Sequence, residues 1–400
     1  MSESEEQESA LDRVYLDNAA TSWPKSAAAI DAAFTFAREC GATAGRGTYR
    51  SAQVAESWLE RARQRVATLV GANSPRSVAF CSSGTHALNA TIAGLAPAGS
   101  HVLTTSMEHN SVLRPLTQRQ DQGQLQVDFL PVGADGLAET QDAEAFMREN
   151  TKLLIVGHAS NVTGRVHDLT SWSHLAKKYG LKLVVDASQT LGYIPIDVQA
   201  LGIDALAAAG HKGLRAMAGT GLVVVAPDLT QDFTAWMHGG TGTASEEVDY
   251  TPAWPDSVEV GNLNLPGVVS MAVAAEELLE LDDLQADWLP VFQHLLKGLD
   301  AIEEVQVLGG QVAVAADENG SCVPVVSIQV SGWEVHDLAS ILDNEFHIEV
   351  RAGFHCAALV HQSLGTLDQG GTLRMSPGRE TTLEQVDYVL NSLRTILGAV

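Results

Sequence analysis

Short apolar runs alternate with longer amphipathic stretches through the first two thirds of the chain. "HVLTT" (101–105), "KLLIVGHA" (152–159), "LKLVVDA" (181–187), "IDALAAAG" (203–210) and "GLVVVA" (221–226) predict buried strands. Helix-length segments separate several of them. "DLTSWSHLAKKYG" has Asp168 placed to cap its start and Gly180 just past its end. This alternation predicts an α/β fold with a mainly parallel sheet covered by helices. From about residue 268 the order becomes helix, strands, helix, strand, helix, which predicts a smaller C-terminal α+β domain. The expected organisation is a disordered acidic tail at 1–12, a large α/β domain at 13–267 and a small domain at 268–400.

Composition narrows the function classes. The chain has 400 residues, of which 45% are hydrophobic and 18% charged, as in a globular protein. No apolar run approaches the roughly 18 residues of a membrane span. The opening "MSESEEQESA" is neither a secretory h-region nor an Arg-rich transit peptide, so a cytoplasmic protein is expected. A net charge of −25, with only 24 Lys and Arg, excludes a nucleic-acid surface. Cys40, Cys81, Cys322 and Cys356 are far apart, which indicates neither a disulfide framework nor a zinc ribbon.

In an open α/β sheet, ligands bind beyond the carboxyl ends of the strands, so the polar residues that end each apolar run are the candidates. After Phe80, "CSSGTHALNA" brings Gly84 and Thr85 to a helix N-terminus; this is an ordinary cap or a phosphate site. "SMEHNSV" delivers His109, either a satisfied loop residue or a flat group that stacks on an aromatic ligand. "GHASNVTG" offers Asn161, and "LVVDASQT" offers Asp186 and Gln189. Asp186 is costly to bury without a cation, and none follows nearby in the chain. Lys212, between small and aliphatic stretches, is either solvated or a partly dry amine able to form a Schiff base. Pyridoxal 5′-phosphate satisfies the set: ring nitrogen on Asp186, phenolic oxygen on Gln189, phosphate on Thr85 and its helix, aldehyde on Lys212.

The stretches "YLDNAATSWPK", "EHNSV", "HASNVTG", "DASQT", "IPIDVQALGIDALAAAGHKG", "GGTGT" and "RAGFHCA" occur in an order and spacing that resembles the cysteine desulfurases of the class V aminotransferase family. The resemblance covers nearly the whole chain. It implies a fold type I architecture with a seven-stranded sheet, Lys212 as the Schiff-base lysine, and His109 stacked over the ring with a catalytic part. It further implies His211 near the phosphate, Asn161 among the cofactor and substrate contacts, Arg374 on the substrate carboxylate and Cys356 as the nucleophile. A homodimer follows, with Thr241 reaching the partner's phosphate, L-cysteine as the substrate and a sulfur-acceptor protein as a further partner. Zinc on His355, Cys356 and His361 is disfavoured by irregular spacing and the lack of a fourth ligand.

The chain departs from the family pattern at Ala209, His86, Asn262 and the Thr381–Thr382 pair. The reading is a cysteine desulfurase. Its rivals are a selenocysteine lyase or aminotransferase on the same scaffold, or a cofactor-binding protein without turnover.

Overall fold

Seven strands form the central sheet in the order Val78–Cys81, Gly221–Val225, Ala205–Ala209, Lys182–Asp186, Thr151–Gly157, His101–Thr105 and Gln126–Leu130. The computed structural model describes residues 13–242, 246–310 and 322–398, so the acidic tail at 1–12 lies outside the described residues. Every neighbouring pair is parallel except those made by Gly221–Val225, which runs antiparallel to both flanking strands. The mainly parallel α/β sheet is as expected.

All five apolar runs are strands, because a parallel sheet with both faces covered demands continuous apolar sequence. Edge strand Gln126–Leu130 was not anticipated. Its Gln126 is exposed and its Asp128 half-buried, so no apolar run announces it. The helix Leu169–Tyr179 is capped as expected: Asp168 accepts from the Thr170 N–H at 3.0 Å, and Gly180 adopts a left-handed φ of 64°.

A second core surrounds a four-stranded antiparallel sheet in the order Arg351–Gly353, Thr372–Met375, Val326–Val330 and Val305–Val307, with Trp288, Phe292 and Val389 among its side chains. The expected division at 267/268 falls inside helix Leu265–Leu279. Val268, Val269, Met271 and Ala275 of that helix pack into the core of the large sheet. The N-terminal segment crosses the other way. Strand Val14–Tyr15 pairs with Ile348–Glu349, and Asp17 bridges to Ser376. Among the described residues, no helix is long and apolar enough to cross a membrane.

Candidate active site

The carboxyl ends of the central strands open into a cavity of about 220 Å³. Gly84, Thr85, His109, Asn161, Asp186, Gln189, His211, Lys212 and Arg374 all lie in its wall. Residues up to 290 apart in sequence, counting from Gly84 to Arg374, are thus brought together.

One side is built on helix Gly84–Leu95. Ser83 caps it by accepting from the His86 N–H at 3.0 Å. The first amides of a helix lack intrahelical partners, so Gly84 and Thr85 bring unspent N–H groups to the cavity. A side chain at 84 would be crowded, its Cβ standing 3.1 Å from both Ala209 Cβ and Ser188 Oγ. The Thr85 hydroxyl lies 2.8 Å from that of Ser111, which is 2.9 Å from His109 Nδ1.

His109 caps its own helix, its Nδ1 accepting from the Ser111 N–H at 3.0 Å. That bond fixes the neutral tautomer with the proton on Nε2. Burial first, and then the neighbouring Lys212, push its pKa down to about 4. Asp186 ends its strand with Oδ1 accepting from the Ser188 N–H at 2.9 Å. Gln189 is steadied by donating from Nε2 to the Ala19 carbonyl at 3.2 Å.

Lys212 is not a surface lysine. Burial first, with Arg374 and Arg351 adding to it, pushes its amine down to about 8 against the opposing pull of Asp186 and Cys356. The preceding His211 is fixed by Nδ1 to the Thr21 hydroxyl at 3.0 Å. Its carbonyl accepts from the Lys25 ammonium at 2.7 Å and from the Ser22 N–H at 3.0 Å. Lys25, unremarked in the sequence, therefore grips the peptide that carries Lys212.

Arg374 is 1% exposed. Its Nη2 meets Asp17 Oδ1 at 2.6 Å and its Nη1 donates to the Asn161 carbonyl at 3.0 Å, while Nε has no partner among the described residues. Asn161 also donates from Nδ2 to the His355 carbonyl at 2.6 Å, so one residue ties the arginine to the cysteine loop.

Cys356 is exposed and stands outside the cavity wall. It and His355 adopt consecutive left-handed φ angles of 60° and 48°, a conformation non-glycine residues hold only under constraint. The constraint is visible: His355 Nε2 is 2.9 Å from the Thr372 hydroxyl, and the Cys356 carbonyl accepts from the Asn110 N–H at 2.8 Å. His355 is therefore an anchor, buried and pushed down to about 2 by burial and the nearby Arg374. The polar group that faces the sulfur is Arg351, whose Nη2 lies 3.7 Å from Cys356 Sγ. Arg351 opens the quoted "RAGFHCA" stretch but carries no signal until the strand Arg351–Gly353 turns it inward. Among the described residues no cluster of three metal-ligating side chains occurs.

Thr241 is described but is not in this wall; its loop is tied down by Arg46, which donates to the carbonyls of Gly240 and Gly261 at 3.2 and 2.6 Å. Three of the four departures lie elsewhere. Thr382 forms a capping box for the last helix, Thr381 accepts from the Gly378 N–H at 2.9 Å, His86 packs edge-on against Trp236, and Asn262 accepts from Thr43 at 2.7 Å. Only Ala209 lines the cavity.

Residues 14–389 match the family Aminotransferase class-V. A probable cysteine desulfurase of Methanothermobacter thermautotrophicus is 29% identical over 97% of this chain and 95% of its own. One from Pyrococcus abyssi is 30% identical over 96% and 94%. The apo structure of a cysteine desulfurase from Thermococcus onnurineus NA1 superposes with a TM-score of 0.88 at 28% identity, over 97% of this chain and 96% of that one.

Proposed function

The chain belongs to the class V aminotransferase family, and on that premise we propose that it is a pyridoxal-phosphate-dependent cysteine desulfurase. It converts L-cysteine to L-alanine and retains the sulfur as a persulfide on Cys356. The observation that carries this reading is the convergence of the Lys212 amine, the Asp186 carboxylate and Arg351 on one small cavity, with Arg351 reaching the exposed Cys356 just outside its wall.

The donor set fits the cofactor. Helix amides at Gly84 and Thr85, the Thr85 hydroxyl and His211 suit a phosphate. Ala209 brings no hydroxyl to the cavity, and Ser188, in the same wall, is the hydroxyl available to replace it. Asp186 Oδ2 has no hydrogen bond among the described residues and suits a ring N–H⁺, Gln189 suits the phenolic oxygen, and Lys212 would hold the aldehyde carbon. When bound, the ring supplies a sink for the electron pair left at the substrate's α-carbon.

Arg374 fixes the substrate carboxylate, steadied from behind by Asp17, with Asn161 beside it. The Lys212 amine, its pKa near neutrality, moves the α-proton. His109, held neutral in the cavity wall, would cover the ring and keep water off it. The Cys356 sulfur then bonds to the substrate sulfur as that sulfur's bond to carbon breaks; the carbon takes a proton and alanine leaves. We place Thr241 in the partner's site within a homodimer, a sulfur-acceptor protein at the exposed Cys356, and the whole in the cytoplasm. The enzyme rivals on this scaffold share the cavity and differ in needing no exposed thiol.

Purified protein given L-cysteine and a reductant should release alanine and sulfide in equal amounts; release of neither overturns the reading. Asp186→Asn should slow turnover roughly thirtyfold, half of the ~4 kcal/mol that a charged partner is worth at an effective dielectric near 20. A parent-like rate would remove Asp186 from the ring nitrogen. Arg351→Ala should slow alkylation of Cys356 by iodoacetamide about twofold to fivefold, the scale of an exposed, solvent-screened charge pair. An unchanged alkylation rate would mean that Arg351 does not support the thiolate.

A further inference from the structure

Beyond the end of strand His101–Thr105, two strands along the sheet from Asp186, a second carboxyl lies in the same wall. Glu108 is 1% exposed and lines the cavity. Its Oε1 accepts from the Thr105 hydroxyl at 2.7 Å and from the Gly157 N–H at 2.8 Å, while Oε2 has no partner among the described residues. Gly157 is the register partner of Asp186 on the adjacent parallel strand, and register partners point their side chains to the same face. A Cβ on Gly157 would stand 3.1 Å from Glu108 Oε2, so the Glu108 carboxyl fills the place of the absent Gly157 side chain. The two carboxyls therefore share one wall, with Gly157 between them and Asp186 close enough to act on Glu108.

Two carboxyl groups so close in a dry wall do not both ionise readily. Their surroundings decide which one does. Glu108 is the more deeply buried, 1% exposed against 9% for Asp186, and only Asp186 feels the charge of Lys212; these outweigh the Thr105 hydroxyl and Gly157 N–H that donate to Glu108. On the reading that Asp186 faces the ring nitrogen, we propose that Glu108 is a positioning residue that holds the single proton of this carboxyl pair and so leaves Asp186 charged. Burial is the main force pushing the Glu108 carboxyl up to about 8, and Asp186 adds to it. The other titratable groups packed around the pair are His109, Lys212 and His167, whose Nδ1 lies 2.8 Å from the Gly157 carbonyl. Pairs of carboxyls driven apart in this way divide acid and base roles between them.

The test uses cofactor-free full-length protein with ¹³C-labelled glutamate carboxyls, followed by infrared spectroscopy, to which Lys212 and the histidines contribute no carboxyl band. The expected result is a protonated Glu band at pH 7 that is lost by pH 9 and is missing from Glu108→Gln. In Asp186→Asn the loss should move to lower pH by about one unit, because the neighbouring charge is gone. Absence of the band at pH 7, its survival in Glu108→Gln as a signal of the other buried glutamate, Glu259, or an unshifted midpoint in Asp186→Asn overturns the proposal. Should Glu108→Gln fail to fold, the Asp186→Asn shift decides alone. In reconstituted protein, Glu108→Gln, which keeps a donor, should turn over several-fold faster than Glu108→Leu; equal rates also overturn it. Sulfide production with an unshifted midpoint defeats this inference alone, and a shifted midpoint without sulfide defeats the desulfurase reading alone.

Discussion

Cys356→Ala is expected to reduce sulfide release from L-cysteine by at least about a thousandfold, the scale on which losing a nucleophile acts in enzymes that form covalent intermediates. The variant loses no group that lines the cavity, because Cys356 stands outside the wall. It should therefore still bind the cofactor, and its visible absorbance should still change when L-cysteine is added. That combination separates the nucleophile from the binding machinery. Mass spectrometry of the parent after L-cysteine alone should find one added sulfur on the Cys356 peptide. The reading fails if the alanine variant keeps the parent rate, or if the sulfur sits on Cys40, Cys81 or Cys322. The exposure of Cys356 sets it apart from those three, which are buried or half-buried. Selenocysteine is a useful contrast, since its weaker carbon–selenium bond can break without the thiol; selenide release that survives in Cys356→Ala would mark the lyase rival.

Acid should destabilise the protein steeply, because burial holds several histidines neutral, among them His109 and His211 at the cavity and three that pack inside the fold. His158, His355 and His361 are buried, and burial pushes them down to about 3, 2 and 4. An unfolded histidine titrates near 6.5. Because the folded values are depressed, the stability these groups contribute is full above about pH 6.5 and is lost as pH falls. Each costs about 1.4 kcal/mol per pH unit between pH 6.5 and 4, or roughly 4 kcal/mol per unit for the three. Glu108 opposes them with one proton. Its folded value is raised, so its contribution is full below the unfolded value near 4.5 and is lost as pH rises toward about 8. These four groups together are expected to cost roughly 3 kcal/mol per pH unit between pH 6.5 and 4.5, and His109 and His211 act in the same direction. Urea unfolding midpoints of the cofactor-free protein at pH 7.5, 6 and 5 measure it directly. A midpoint that stays level over that range would show that these imidazoles are solvated or already charged.

Much of the large sheet was legible because parallel strands covered on both faces must be apolar throughout, and a run such as Leu183–Val185 has few other uses. Each polar residue that ends such a run lies at a strand's carboxyl end by necessity of the topology, which is why Asp186, Asn161 and Lys212 could be collected before any coordinates. Edge strand Gln126–Leu130 escaped because one of its sides needs no apolar cover. The helix Leu265–Leu279 was assigned to the small domain because its apolar residues do not say which core they fill; the neighbours Ala27–Glu39 and Arg50–Leu69 decide that. Sequence by itself determined the fold class and the kinds of group at the site, since local pattern and residue type set both. Tertiary structure alone decided the pairing of Arg374 with Asp17, 357 residues away in sequence, the turning of Arg351 toward Cys356, and the neighbourhood of Glu108 and Asp186. Charge pairing and desolvation depend on distance in space, and nothing in residue order fixes that distance until the strands are laid side by side.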